Sequence, residues 1–147
     1  MNIIFFDIDG VLNHQRAKSL MDWDIVDRVK QMAIDCNAKL VMSSSWKDTV
    51  INPQLYNEPD KAFVYNLLNE LGDLYIGYCP DISDDYREEE VQAWLDEHPE
   101  TEQFVILDDL DFGFPEAFPD NFVKTTGYMR EGFSKENEIQ ARRILNN

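Results

Sequence analysis

The chain has 147 residues, 44% of them hydrophobic and 12% aromatic, a composition that packs into a core rather than staying disordered. Its 29 aspartates and glutamates outnumber 13 lysines and arginines, and the formal charge of -16 repels phosphate backbones over the general surface, which excludes a non-specific nucleic-acid binder. Cys36 and Cys79 are too few and too isolated for a disulfide framework, and no Cys/His spacing suits zinc, so a reducing cytoplasm is the expected setting. A chain of this length buries about two-thirds of its unfolded surface, which leads us to expect one domain over residues 1–147. The opening apolar run IIFF meets Asp7 at once, too soon for a signal peptide, and no stretch reaches membrane-spanning length, so no membrane partner is expected.

In chain order, NIIFF is a short continuous apolar run of β-formers, the pattern of a strand covered on both faces of a parallel sheet. Ile25, Val26, Val29, Met32, Ala33 and Cys36 then recur at helical spacing, with Asp22 or Asp24 placed to cap the start. AKLVMS reads as a second strand. Pro59 opens a helix whose buried stripe is Phe63, Val64, Leu67, Leu68 and Leu71, and Gly72 stops it. LYIGY is a third strand, and Val91, Trp94 and Leu95 mark one face of a helix beginning near Asp85. QFVIL runs straight into Asp108 and Asp109, NFVKTT is a last strand, and Ser134 caps a final helix carrying Ile139, Ala141, Ile144 and Leu145. Alternating strands and helices predict an α/β fold, a parallel sheet with helices on both faces.

Ligands of open parallel α/β sheets bind at the carboxyl ends of the strands, near the reversal of strand order. The polar residues there are Asp7 and Asp9 after the first strand, Ser43, Ser44 and Ser45 after the second, and Asp108 and Asp109 after the fourth. Gathered carboxylates repel and raise one another's pKa unless a cation sits among them. Magnesium suits such a cluster, because it takes oxygen ligands and is commonly held by carboxylates together with a substrate phosphate. A serine hydroxyl beside loop amides binds phosphate oxygens without adding charge.

The stretches DIDGVLN, LVMSSSW, REEEVQAWL and VILDD, in that order, resemble the four motifs of the haloacid-dehalogenase-like (HAD) phosphatase superfamily. GYMREGFSKENEIQARRIL resembles the closing strand, turn and helix of small cap-less members, so the likeness covers nearly the whole chain. Within the superfamily it is similar to the HAD domain associated with RNA-repair proteins and polynucleotide 3'-phosphatases. The resemblance implies a Rossmann-like three-layer sandwich with strand order 5-4-1-2-3 and a minimal cap. It further implies a magnesium-dependent phosphomonoester hydrolase working through an aspartyl-phosphate. Asp7 would be the nucleophile and Asp9 the acid and base. Asp7, the Asp9 carbonyl and Asp108 would hold magnesium, with Asp109 as alternative or support. Ser44, or Ser43 or Ser45 if the register of the serine run differs, would bind the phosphoryl group together with Gly10. Arg87 would stand where the third motif puts a Lys or Arg, offsetting phosphate charge. The short segment between the first two motifs implies an open site, admitting a nucleic-acid 3'-phosphate end, a nucleotide or another phosphorylated small molecule.

Other uses of these residues bear weighing. Arg87 read without the resemblance pairs with glutamates on a solvated helix, and SDDYREEE is a solvated acidic helix start. His14, Arg16, Lys18 and Lys47 lie in loops that border the pocket, as ordinary exposed cations. Trp46 and Trp94 are expected to pack, His98 to answer the helix dipole, and Phe112, Phe114, Phe118 and Phe122 to pack on the sheet. A phospho-acceptor signalling domain needs its lone acceptor Asp on the third strand, whereas the candidate here is on the first. A phosphate- or metal-binding module without turnover is the remaining rival.

Overall fold

In the computed structural model, which describes residues 1–82 and 86–147, the buried run Asn2–Phe6 (β1) is the centre of the sheet. It pairs in parallel with Ala38–Met42 (β2) on one side and Phe104–Asp108 (β4) on the other. Tyr75–Tyr78 (β3) extends the sheet beyond β2 and Phe122–Lys124 (β5) beyond β4, again in parallel. The order β3-β2-β1-β4-β5 is the expected 5-4-1-2-3 read from the other edge.

A central strand with no solvent face has to be apolar along its buried length, and β1 is from Ile3 to Phe6. Ile4 and Phe6 face one core with Val26, Val29 and Met32 of Trp23–Asp35 (α1), Val64 and Leu67 of Glu58–Leu71 (α3), and Ala141 and Leu145 of Lys135–Leu145 (α6). Ile3 and Phe5 face the other, with Val91 and Trp94 of Arg87–Glu97 (α4) and Phe114 of the short helix Phe114–Ala117 (α5). Fully burying each such side chain is worth about 1.5–3 kcal/mol. Phe5 meets Trp94 edge-on at 5.4 Å between ring centroids, so Trp94 packs as expected. Helices on both faces make three layers.

The helix ends follow local chemistry. Asp22 caps α1, accepting from the amides of Asp24 and Ile25. Gly72, at φ +55°, ends α3. Ser134 and Asn137 form a reciprocal capping box at the start of α6. Ile139 departs from the expected apolar stripe of α6: its side chain is 56% exposed, because the buried face is carried by Asn137, Ala141 and Leu145 instead. The described part of α4 begins at Arg87; the start expected near Asp85, and the first residues of the SDDYREEE run, lie outside the described residues. Both cysteines are buried and free. Among the described residues, no helix is long and apolar enough to cross a membrane.

Candidate active site

Strand order reverses at β1, so the crevice at the carboxyl ends of β1 and β4 is where a ligand site is expected. Asp7 follows β1 directly, its amide donating to the Leu107 carbonyl at 3.1 Å, and Asp108 is the last residue of β4. Adjacent parallel strands therefore present the two carboxylates side by side. Asp109 joins them from the next position: one carboxylate oxygen each of Asp7, Asp108 and Asp109 lies within 4.8 Å of the others.

Arg87, at the start of α4, reaches into this cluster. Its Nη1 lies 2.9 Å from Asp108 Oδ2 and 3.3 Å from Asp7 Oδ2, and its guanidinium stacks over the Phe112 ring, 4.3 Å from the centroid. The second oxygens are held by the backbone, Asp7 Oδ1 accepting from Ile8 N–H at 2.8 Å and Asp108 Oδ1 from Leu110 N–H at 3.0 Å. The Ser44 hydroxyl, which accepts from Trp46 N–H at 3.1 Å, stands near Asp7 and helps to lower its pKa.

One guanidinium does not balance three carboxylates in a dry place. Burial raises the Asp7 pKa despite the offsetting charge of Arg87. Burial, with the neighbouring charge of Asp7, pushes Asp108 up to about 7, and burial raises Asp109 as well. Burial alone would lower the Arg87 pKa, but the charges of Asp7 and Asp108 overcome it and raise it. The cluster thus favours added positive charge. Its donors are all oxygen, the set that a hard divalent cation such as magnesium takes, so three aspartates are consistent with a metal site.

The Asp9 carboxylate stands beside this trio, exposed, with each oxygen held by a neutral donor: Asn13 Nδ2 at 3.0 Å and Trp46 Nε1 at 3.0 Å. Trp46 therefore does more than pack, although its ring also meets Phe63 at 5.0 Å. Gly10 has φ +79°, and a Cβ there would overlap the Asp109 carboxylate. Its amide already donates to Asn13 Oδ1 and its carbonyl accepts from Thr125 Oγ1, so its geometry makes room for Asp109. Of the serines, Ser44 faces Asp7, Ser45 is exposed, and Ser43 is buried with its hydroxyl unpartnered among the described residues.

Several readings of single residues need correcting. Lys47 is not in a loop at the pocket's border; it opens the helix Lys47–Ile51 (α2), and its ammonium lies 2.7 Å from Glu90 Oε1, both side chains 2% exposed. Glu90 is accordingly no part of a solvated acidic face. His14 is no ordinary exposed cation either, since its Nε2 lies 2.7 Å from Asp22 Oδ2. Arg87 pairs with the site aspartates Asp7 and Asp108. His98 stands at the end of α4 as expected, its Nδ1 2.8 Å from the Trp94 carbonyl, and its ring also stacks on Trp94 at 3.7 Å. Asn13 and Thr125 are site neighbours that sequence reasoning did not single out for it, the only signal being Asn13 standing four residues after Asp9; Phe112, expected to pack on the sheet, also lies under the Arg87 guanidinium.

A five-stranded parallel α/β sandwich with three aspartates at its topological switch point and no inserted cap is a HAD-like domain of the cap-less type. The chain belongs to the family described as the HAD domain in Swiss Army Knife RNA repair proteins, whose model matches residues 3–137. Such domains are in general hydrolases of phosphoesters, and a phosphorylated substrate goes with that class. No curated protein and no solved structure matches the chain.

Proposed function

We propose that the chain, acting as one domain over residues 1–147, is a magnesium-dependent phosphomonoesterase that works through an aspartyl-phosphate. The observation that carries this reading is the convergence of the Asp7, Asp108 and Asp109 carboxylates within 4.8 Å of one another, with Arg87 bound to two of them. Asp7, Asp108 and the Asp9 carbonyl would hold magnesium, with Asp109 in support. Bound there, the ion supplies positive charge against the phosphoryl oxygens.

In the first step an Asp7 carboxylate oxygen attacks phosphorus. The bond to the leaving oxygen breaks, and that oxygen keeps the electron pair and takes the proton of the Asp9 carboxylic acid. In the second step water attacks the phosphorus of the aspartyl-phosphate and gives its proton to the Asp9 carboxylate. The bond between phosphorus and Asp7 breaks, and inorganic phosphate leaves. Asn13 and Trp46 fix the orientation of Asp9 by donating to its two oxygens. Ser44 donates toward the phosphoryl group, and Arg87 balances its charge. The RNA-repair description of the family supports a nucleic-acid 3'-phosphate end as the natural substrate, with a nucleotide as the smaller candidate.

Hydrolysis of a generic aryl phosphate tests the chemistry. Turnover should require magnesium, Asp7→Asn should reduce it to background, and Asp9→Asn should lower it by more than about 100-fold. Wild-type rates in Asp7→Asn would remove the covalent route. Magnesium binding without any turnover would favour the binding module.

A further inference from the structure

Leu20 and Trp23, at the entry to α1, are 67% and 41% exposed, and both line one concavity. Its other wall is a face of α3 carrying Pro59, Ala62 and Phe63, and it encloses about 300 Å³, the small end of the ligand-pocket range of roughly 300–1,000 Å³. Among the described residues no charged side chain lines it, although 29% of the chain is charged. Of its two polar side chains, Ser19 is committed through its hydroxyl to the Met21 carbonyl, which leaves the Asn66 amide. Such walls suit a neutral, flat ring with a polar edge.

The concavity is continuous with the candidate active site through both oxygens of Asp9. Asn13 Nδ2 donates to Asp9 Oδ1 at 3.0 Å and to the Leu20 carbonyl at 3.1 Å. Trp46 Nε1 donates to Asp9 Oδ2 at 3.0 Å, while the Trp46 ring meets Phe63 at 5.0 Å between centroids. Each oxygen is therefore one side chain away from a residue in the wall. Because Asp9 would protonate the departing oxygen, the leaving group lies on this side. A chain charge of -16 repels phosphorylated molecules in general, so affinity for one has to come from uncharged contacts, and stacking on aromatic rings is such a contact. A bare sugar has no flat face for Trp23 and Phe63, and an alkyl chain has no polar edge for Asn66; a nucleobase has both.

We propose that the concavity between Leu20, Trp23 and Phe63 stacks the nucleobase carried by the leaving group of the substrate. The inference rests on the phosphomonoesterase reading, which places the leaving group beside Asp9, and it deepens that reading by assigning the residues that select a nucleotide. A nucleoside 3'-monophosphate and a 3'-phosphorylated oligonucleotide end both supply this chemistry.

The test compares kcat/KM for a 3'-phosphorylated dinucleotide with that for the same compound carrying an abasic tetrahydrofuran residue at its 3' end. The wild type should prefer the intact substrate by about tenfold. A nucleoside 3'-monophosphate that is hydrolysed as well as the dinucleotide identifies a free nucleotide as the source, and a slower one identifies a nucleic-acid end. Trp23→Ala should lose most of the preference and Trp23→Phe should keep most of it, while Ile139→Ala, which trims an exposed apolar side chain on α6, should leave it intact. No preference in the wild type, a comparison that needs no variant to fold, or an undiminished preference in Trp23→Ala overturns the proposal. So does a dimer of the wild type that Trp23→Ala dissociates in sedimentation, because the concavity would then be covered by a second copy. Calorimetric binding of the nucleoside 3'-monophosphate separates these outcomes from a failure of the chemistry. If no phosphate ester is hydrolysed, binding that weakens about tenfold in Trp23→Ala still supports the base site, and unchanged or undetectable binding overturns it.

Discussion

Gly10 shows how narrowly single positions are set around the carboxylates. Its φ of +79° is left-handed, and the space beside its Cα is filled by Asp109. Gly10→Ala should therefore cost about 1–2 kcal/mol in backbone strain alone, and should lower phosphatase activity further by displacing Asp109. Urea denaturation and aryl phosphate turnover measure the two effects separately; an alanine variant with wild-type stability would mean that the loop relaxes freely. Arg87 is set with similar economy. One face of its guanidinium lies on Phe112 while its edge meets Asp7 and Asp108, so a lysine there would lose both the stacking and the planar fork.

Among the elements, α2 and α4 are joined by a buried ion pair rather than by apolar packing alone. Lys47 binds Glu90 at 2.7 Å and the Pro80 carbonyl at 3.3 Å, while Glu90 Oε2 accepts from Ile82 N–H. The pair lies just after Ser44 on one element and one turn from Arg87 on the other, so it braces two parts of the site. Lys47→Met should cost about 3–5 kcal/mol by leaving Glu90 buried without its cation, and the double variant Lys47→Met, Glu90→Leu should cost less than the sum of the single changes. Chemical denaturation of the three variants measures the coupling, and strict additivity would show that the pair does not act as one unit. This contact also marks where the sequence stops being legible. The strands can be read from short apolar runs, two of which finish in acid, while their order followed from the resemblance to the HAD-like superfamily. A five-residue helix such as α2 is too short to display a period, and its lysine is buried only because a glutamate 43 residues away comes to meet it. Asn13, Trp46 and Phe112 were illegible for the same reason, since loop conformation and tertiary packing aim their side chains. Asp7 and Asp108 were legible because strand ends aim them.

For the molecule as a whole, the acidic cluster ties stability to pH and to cations. The folded-state pKa of Asp108 is raised from 3.8 to about 7. The folded state thus holds a proton that the unfolded state has released between those values, and its stability falls as pH rises across that window. Metal-free protein should melt at a lower temperature at pH 8 than at pH 5.5, and Asp108→Asn should flatten the difference. Magnesium should raise the melting temperature more at pH 8, where the carboxylates are ionised, than at pH 5.5. Calorimetric melts with and without magnesium at the two pH values check the sign; equal magnesium effects would argue against a cation among these aspartates.

The amide of Asp7 is tied to Leu107 on the neighbouring strand, and that bond has a consequence for how substrate choice can change. The distance between the two acidic strand ends is inherited from the repeat of a parallel sheet, about 4.8 Å, so mutations in surface segments hardly alter it. The spacing of the acidic pair is in effect cast in the scaffold, while exposed side chains in the flanking loops, such as Arg16, Lys18, Arg130 and Glu131, can be rewritten. On the proposed function, selectivity can be re-engineered at the periphery without altering the spacing of the two aspartates.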